Sequence, residues 1–196
     1  MFILGHSTGA LVAENFLNMN KSHMTEDRIA GVIFSAPFFG LPDSVGVTPV
    51  KKMVVKGLAC VADEFVVGNQ RSNHIICHNK QYMRHCQTTN KVPPVTSLGM
   101  LASFIRSIDR LKPDQFTYPY LMVLAEKDLI VNNRESKVWR DKSKSKIKKL
   151  KLMPGAFHEL SKEPNNHFIF EEALRFMGER LVDTSKPVKP FGEFKH

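Results

Sequence analysis

Apolar positions along this chain follow two different rhythms. Met1 to Leu4 is a short apolar run, broken at once by Gly5-His6-Ser7-Thr8-Gly9. A strand followed by a sharp turn is the predicted structure. Ala10, Val12, Ala13, Phe16, Leu17 and Met19 then recur at helical spacing, which predicts a buried helix over 9–19. Residues 20–28 read as a polar connector. Ile29 to Ser35 is a second apolar strand, ended by Pro37 and Gly40. The same alternation returns late in the chain. Tyr120–Ala125 reads as a strand and 133–142 as a helix. Ile147–Met153 alternates apolar and basic residues, as a half-exposed strand would. Phe168, Phe170, Ala173, Leu174, Met177 and Leu181 predict an amphipathic helix over 167–181.

Residues 38–118 interrupt this rhythm. They carry Pro42, Pro49, Pro93, Pro94 and Pro113 and suggest no strand pair. Helical spacing occurs at Val50, Met53, Val54, Leu58 and Val61. It occurs again, more strongly, at Leu98, Leu101, Phe104, Ile105, Ile108 and Leu111. The stretch reads as a helical insertion. Strands that alternate with helices imply a parallel sheet covered on both faces. The chain is therefore read as α/β, with about four parallel strands. A single domain spans 1–182, and a loose tail with Pro187 and Pro190 follows at 183–196.

Composition adjusts the picture only slightly. With 196 residues and 42% apolar types, the chain suits one globular domain. No apolar run approaches the roughly 18 residues of a membrane helix, and Met1–Leu4 is too short for a signal-peptide core. Three cysteines, Cys60, Cys77 and Cys86, form no paired framework and point to a reducing, cytoplasmic setting. The net charge of +9 is local: residues 137–151 hold eight Lys or Arg and one Asp. Only Trp139 intervenes there, whereas a nucleic-acid groove interleaves basic residues with aromatics. A solvated helix and strand edge is the better reading, and nucleic acid is not an expected partner. Peripheral contact with an anionic membrane surface is the sharper alternative.

The chemistry begins in the first turn. Gly5-x-Ser7-x-Gly9 sits between a strand and a helix, and about 0.04 such matches are expected by chance in this composition. A serine hydroxyl serves as a nucleophile when it is exposed, oriented and adjacent to a base. A tight strand-to-helix turn presents Ser7 at the top of the sheet. Small residues at Gly5 and Gly9 let the chain close, and the helix N-terminus aims N–H groups at a reacting oxygen. The acid and base should follow in that order. Asp128 comes just after the Tyr120–Ala125 strand, and His158 just after the Ile147–Met153 strand. Both therefore belong to the C-terminal edge of the sheet, where such folds bind ligands. The assigned roles are Ser7 as nucleophile, His158 as general base and Asp128 as the group that fixes its tautomer. Glu126 and Asp141 are alternative acids and His167 an alternative base; Asp141 falls within the basic helix and His167 at the start of the last helix.

These motifs together resemble the monoacylglycerol lipase and lysophospholipase group of the α/β-hydrolase fold, the serine aminopeptidase S33 type. Gly5-His6-Ser7-Thr8-Gly9 is similar to that family's Gly-His-Ser-Met-Gly elbow, and Ser35-Ala36-Pro37 to the end of its next strand. Lys127-Asp128-x-Ile130-Val131 resembles its acid motif. Gly155-Ala156-Phe157-His158-Glu159-Leu160, followed by Lys162-Glu163-Pro164, resembles its histidine motif. The resemblance implies a partial α/β-hydrolase fold whose insertion at about 38–118 is a helical cap. It also implies a long-chain acyl ester of glycerol or a glycerophosphate as substrate. Leu98, Met100, Leu101, Phe104 and Ile105 are then candidates for the acyl pocket or cap seam. No cofactor is implied. His74, Cys77, His78, His85 and Cys86 cluster in sequence, but without a Cys-x₂-Cys pair they are not read as a metal site. In this fold the strand before the nucleophile is central. An upstream segment of the same fold, with the loop that gives the second oxyanion N–H, is therefore expected to be required. Within the chain, the oxyanion donor is the N–H of Thr8. Two other readings stay open: an aminopeptidase using Asp63 or Glu64 to hold an amino terminus, and a non-catalytic fragment.

Overall fold

The structure is a computed structural model that describes residues 1–41, 48–68, 76–89 and 95–182. Four strands form one parallel sheet in the order β1 (Phe2–His6), β2 (Gly31–Ser35), β5 (Tyr120–Ala125) and β6 (Lys148–Met153). The register runs Gly5 beside Phe34, Ser35 beside Val123 and Ala125 beside Met153. The C-terminal ends of all four strands therefore meet along one edge. Helices α1 (Thr8–Met19), α5 (Asn133–Lys142) and α6 (His167–Val182) connect or follow the strands.

Every residue of β2 and β5 is buried, because both faces of the sheet are covered. Side chains alternate between two cores. Val32, Phe34, Tyr120, Met122 and Leu124 pack with Ala10 and Leu17 of α1 and Trp139 of α5. Ile33, Leu121, Val123 and Ala125 pack with Ile169, Ala173 and Phe176 of α6. Each large side chain so buried contributes about 1.5–3 kcal/mol before the entropy of ordering is deducted.

Helix registers differ from the sequence expectation in part. On α6 the buried face is Ile169, Ala173 and Phe176, while Phe170, Leu174 and Leu181 are exposed. On α1 the buried positions include Ala10, Leu11, Ala13 and Leu17, and Val12, Phe16 and Met19 face outward. Apolar residues nearly encircle both helices, so periodicity alone does not select the inward face.

Between β2 and β5 lie α2 (Pro49–Leu58), β3 (Val66–Gly68), α3 (Lys80–Thr89), β4 (Val95–Ser97) and α4 (Leu98–Asp109). The antiparallel pairing of β3 with β4 corrects the expectation of no strand pair here. Strands of three residues are too short to show alternation. Helix α3 was not predicted either: its sequence, Lys-Gln-Tyr-Met-Arg-His-Cys-Gln-Thr-Thr, is polar, and Met83 is its one described buried residue. Helix α2 buries nothing; Val50, Met53, Val54 and Leu58 are all exposed. Helix α4 anchors the insertion. Phe104 meets Phe38 edge-on at 5.6 Å, and both pack in a cluster with Leu11, Ile130 and Val131.

Several basic residues of 137–151 have acceptors. Lys149 pairs with Glu179, Lys151 with Glu172 at 3.3 Å, and Lys148 bonds the Ser143 and Arg140 carbonyls. Among the described residues no helix is long and apolar enough to cross a membrane. His74 and the tail 183–196 lie outside the described residues.

Candidate active site

The shared C-terminal edge of the sheet gathers the residues named from sequence. β1 ends at His6, and the chain reverses at Ser7 with φ 53° and ψ −120°. A non-glycine residue in this region carries about 1–3 kcal/mol of strain, so the surroundings must hold it. The Ser7 N–H donates to the Ser35 carbonyl at 2.9 Å, extending the β1–β2 ladder by one residue. The Ser7 carbonyl accepts the N–H groups of Ala10 and Phe38, each at 3.1 Å. Ser7 occupies the N-cap of α1, yet its side chain makes no capping bond. That leaves the hydroxyl available for a different partner. The Thr8 N–H opens the first turn of α1, where amides lack an intrahelical acceptor and the helix dipole is positive.

Gly5 and Gly9 are not equivalent. A Cβ on Gly5 would meet Gly9 and Ala10 backbone atoms at 2.7 Å. At Gly9 a Cβ would meet nothing within 4 Å among the described residues. The expectation that both glycines are needed for closure is corrected: only Gly5 sits under the returning helix. Ala36 also has positive φ, 43°, directly after β2, and its N–H donates to Val123.

Asp128 closes a short turn after β5. Its Oδ1 accepts the N–H groups of Ile130 at 2.9 Å and Val131 at 3.1 Å. Its side chain is fully buried. The other oxygen, Oδ2, lies 2.9 Å from Nδ1 of His158. His158 Nε2 in turn lies 2.8 Å from Ser7 Oγ. The carboxylate can only accept, so the network assigns the imidazole proton to Nδ1. Nε2 is left with a lone pair facing the serine hydroxyl. The alternative acids and base are elsewhere engaged or exposed. Glu126 accepts the Gly155 N–H at 2.7 Å, Asp141 is held by Arg140 at 3.1 Å, and His167 is exposed at the start of α6.

Two further residues flank this line without having been named as site residues. The His6 ring lies 5.0 Å from that of His158. Its Nδ1 is 3.2 Å from Ser35 Oγ. Its Nε2 is 3.4 Å from Glu159 Oε1. His6 holds the Glu159 carboxyl below the usual carboxylate range, against the opposing effect of burial. The sequence signal was adjacency: each residue neighbours a member of the Ser7–His158 pair.

The five insertion residues named for the acyl pocket separate. Ile105 is buried, Phe104 is packed on Phe38, and Leu98 and Leu101 are half-buried. Met100 is half-exposed. It lines an open cleft of about 560 Å³ with Asp63, Glu64 and Arg106, and none of Ser7, Asp128 and His158 lines it. Among the described residues no group of three or more His, Cys, Asp or Glu could hold a metal ion. Cys60, Cys77 and Cys86 are free thiols.

Phospholipase YtpA of Bacillus subtilis (strain 168) is 25% identical over 179 residues, covering 90% of this chain and 67% of that protein. Human monoglyceride lipase is 25% identical over 199 residues, covering 97% of this chain and 62% of that protein. A solved monoacylglycerol lipase from Paleococcus ferrophilus superposes with a TM-score of 0.78 at 18% identity, over 91% of this chain and 68% of that one. A soluble variant of the Saccharomyces cerevisiae monoglyceride lipase gives 0.74 at 19% identity, over 91% and 64%. The chain thus spans about two-thirds of the length of these relatives, and the parallel sheet with its flanking helices is part of an α/β-hydrolase fold. The sequence pattern of the serine aminopeptidase S33 family matches residues 1–165, and the chain belongs to that family.

Proposed function

We propose that the chain carries the nucleophile, acid and base of a serine hydrolase that cleaves long-chain acyl esters of glycerol or a glycerophosphate. The observation that carries this reading is the continuous line from Asp128 through His158 to Ser7, with contacts of 2.9 and 2.8 Å. Ser7 Oγ attacks the ester carbonyl while Nε2 of His158 takes its proton. Asp128 stabilises the imidazolium that results. His158 returns the proton to the leaving alcohol, and a water activated by the same nitrogen releases the acid from the acyl-enzyme. The Thr8 N–H at the start of α1 is suited to the carbonyl oxygen as it gains charge.

An acyl chain is held by apolar area rather than by hydrogen bonds. Support for that substrate class comes from the cluster of Leu11, Phe38, Phe104, Ile130 and Val131. Leu11 lies one turn beyond Ser7, and Ile130 two residues past Asp128. A relative described as a phospholipase and another as a monoglyceride lipase support the same class. The exposed Val50, Met53, Val54 and Leu58 of α2 offer an apolar surface for peripheral contact with the lipid that holds such substrates. Asp63 and Glu64, the carboxylates the aminopeptidase reading uses, line a separate cleft that Ser7, Asp128 and His158 do not line.

The test is a fluorophosphonate probe applied to the wild type and to Ser7→Ala, with circular dichroism to establish folding. Labelling of the wild type that disappears in the variant supports the reading. A folded, unlabelled wild-type chain defeats it for this chain and leaves a binding role or a requirement for further segments.

A further inference from the structure

The loop that carries His158 has a second anchor besides Asp128. Glu163 is 2% exposed, and its two carboxylate oxygens are approached from different parts of the chain. Oε1 accepts the N–H of Phe157, the residue before His158, at 2.6 Å. Oε2 accepts the backbone N–H of His78 at 3.1 Å and faces His78 Nδ1 at 2.9 Å. The His78 ring stacks on Phe157 at 4.3 Å with an interplanar angle of 20°. Nearby, the Glu159 N–H donates to the Ile76 carbonyl at 2.8 Å. Residues 76–78 belong to the insertion, and residues 157–159 to the loop after β6.

A buried carboxylate is costly unless donors meet it. Here three N–H donors converge on one group, and they come from two segments about 80 residues apart in sequence. A carboxylate that merely finished its own turn would need only the Phe157 bond. We infer that Glu163 is a positioning residue that ties the seat of the insertion to the alignment of His158. The inference rests on the reading of His158 as general base. One oxygen fixes the backbone next to the base, and the other fixes the insertion above it. Proton transfer requires heavy atoms within about 2.6–3.2 Å, and a misplacement of about 1 Å lowers rates roughly 100-fold. Releasing the Phe157 N–H therefore disturbs the chemistry, whereas releasing His78 disturbs what the insertion holds.

The test uses the full chain and three variants: Glu163→Ala, Glu163→Gln and His78→Ala. Amide hydrogen exchange over 76–79 and 155–159 is read beside the rate of fluorophosphonate labelling and the kinetics on a long-chain ester. Glu163→Ala is expected to speed exchange about tenfold in both segments and to slow labelling by about tenfold or more. His78→Ala is expected to speed exchange in 76–79 alone. It leaves labelling by the small probe within about twofold and raises KM with kcat kept. In Glu163→Gln the amide oxygen still serves Phe157, while its NH₂ cannot accept from His78, so this variant should behave as His78→Ala does.

Unchanged exchange in a folded Glu163→Ala, or a rise confined to 155–159, overturns the tie. If Glu163→Ala does not fold, a Glu163→Gln variant with wild-type exchange at 76–79 overturns it equally. A wild type that the probe does not label defeats the hydrolase reading, and the exchange data still decide whether Glu163 joins the two segments.

Discussion

Gly5 lies directly beneath Ala10, so that a Cβ at position 5 would stand 2.7 Å from the Ala10 backbone N and Cα. The strand and the helix it feeds touch through their main chains at this point. Neither can retreat without moving Ser7, whose positive φ depends on the same closure. Gly5→Ala is expected to destabilise the chain by about 3 kcal/mol. Gly9→Ala, with open space around its Cβ, should be neutral or stabilise by about 0.5 kcal/mol, because alanine favours the helix. Thermal unfolding of the two variants side by side checks the difference; equal Tm values would defeat the distinction.

Asp128→Asn tests the tautomer. The side-chain oxygen of asparagine can still accept the Ile130 and Val131 N–H groups that hold the turn. Its NH₂ would then face Nδ1 of His158, which forces the imidazole proton to Nε2, where it opposes Ser7. Labelling should fall by about 10³–10⁴ with the Tm little changed. A loss of less than tenfold in a folded variant would remove Asp128 from the mechanism.

Glu14 gives the chain a pH-dependent stability that does not involve Ser7, Asp128 or His158. It is fully buried on α1; its Oε1 meets Asn18 at 2.8 Å, the Lys112 N–H at 3.1 Å and Trp139 Nε1 at 3.3 Å. Oε2 has no partner among the described residues. Burial pushes this carboxyl up from 4.5 to about 7, although the surrounding donors oppose the shift. The folded state holds the proton more tightly than the unfolded chain. The contribution is therefore complete below about pH 4.5, declines as pH rises towards 7 and levels off above it. The decline amounts to about 3 kcal/mol. Glu14→Gln should flatten that slope and be the more stable protein at pH 8. Urea unfolding of both proteins at pH 5 and pH 8 measures it, and parallel slopes would exclude Glu14 as the cause.

The exposed face of α2 predicts a division between substrates in lipid and substrates in water. Met53→Glu combined with Val54→Glu alters two exposed side chains, so folding should be unaffected. Retention on phosphatidylcholine vesicles should fall about tenfold, with hydrolysis of a soluble short-chain ester unchanged. Equal retention of variant and wild type would exclude this face as the membrane contact.

Much of the fold was legible because local physics and tertiary structure agree in it. Tyr120–Ala125 and 133–142 have the bounds the pattern predicts. An unbroken apolar strand and a capped polar helix leave little choice of register. Ser7, Asp128 and His158 could be named because a parallel sheet sends every strand end to one edge, so a position just past a strand is already a position in space. What periodicity could not give was orientation and pairing. Nearly all-round apolar helices such as α1 and α6 do not declare their inner face, and the three-residue β3 and β4 are strands only because each finds the other. Glu163 belongs to the same class. Its place in the motif after His158 marks it as near the base but does not say what it contacts. Burial beside His78, 85 residues away in sequence, turns it into a joint between two segments, since a long-range contact leaves no local trace. Sequence alone determined which residues could react and at which edge of the sheet. The tertiary structure decided which donors surround them, which glycine is indispensable and which parts of the chain are tied together.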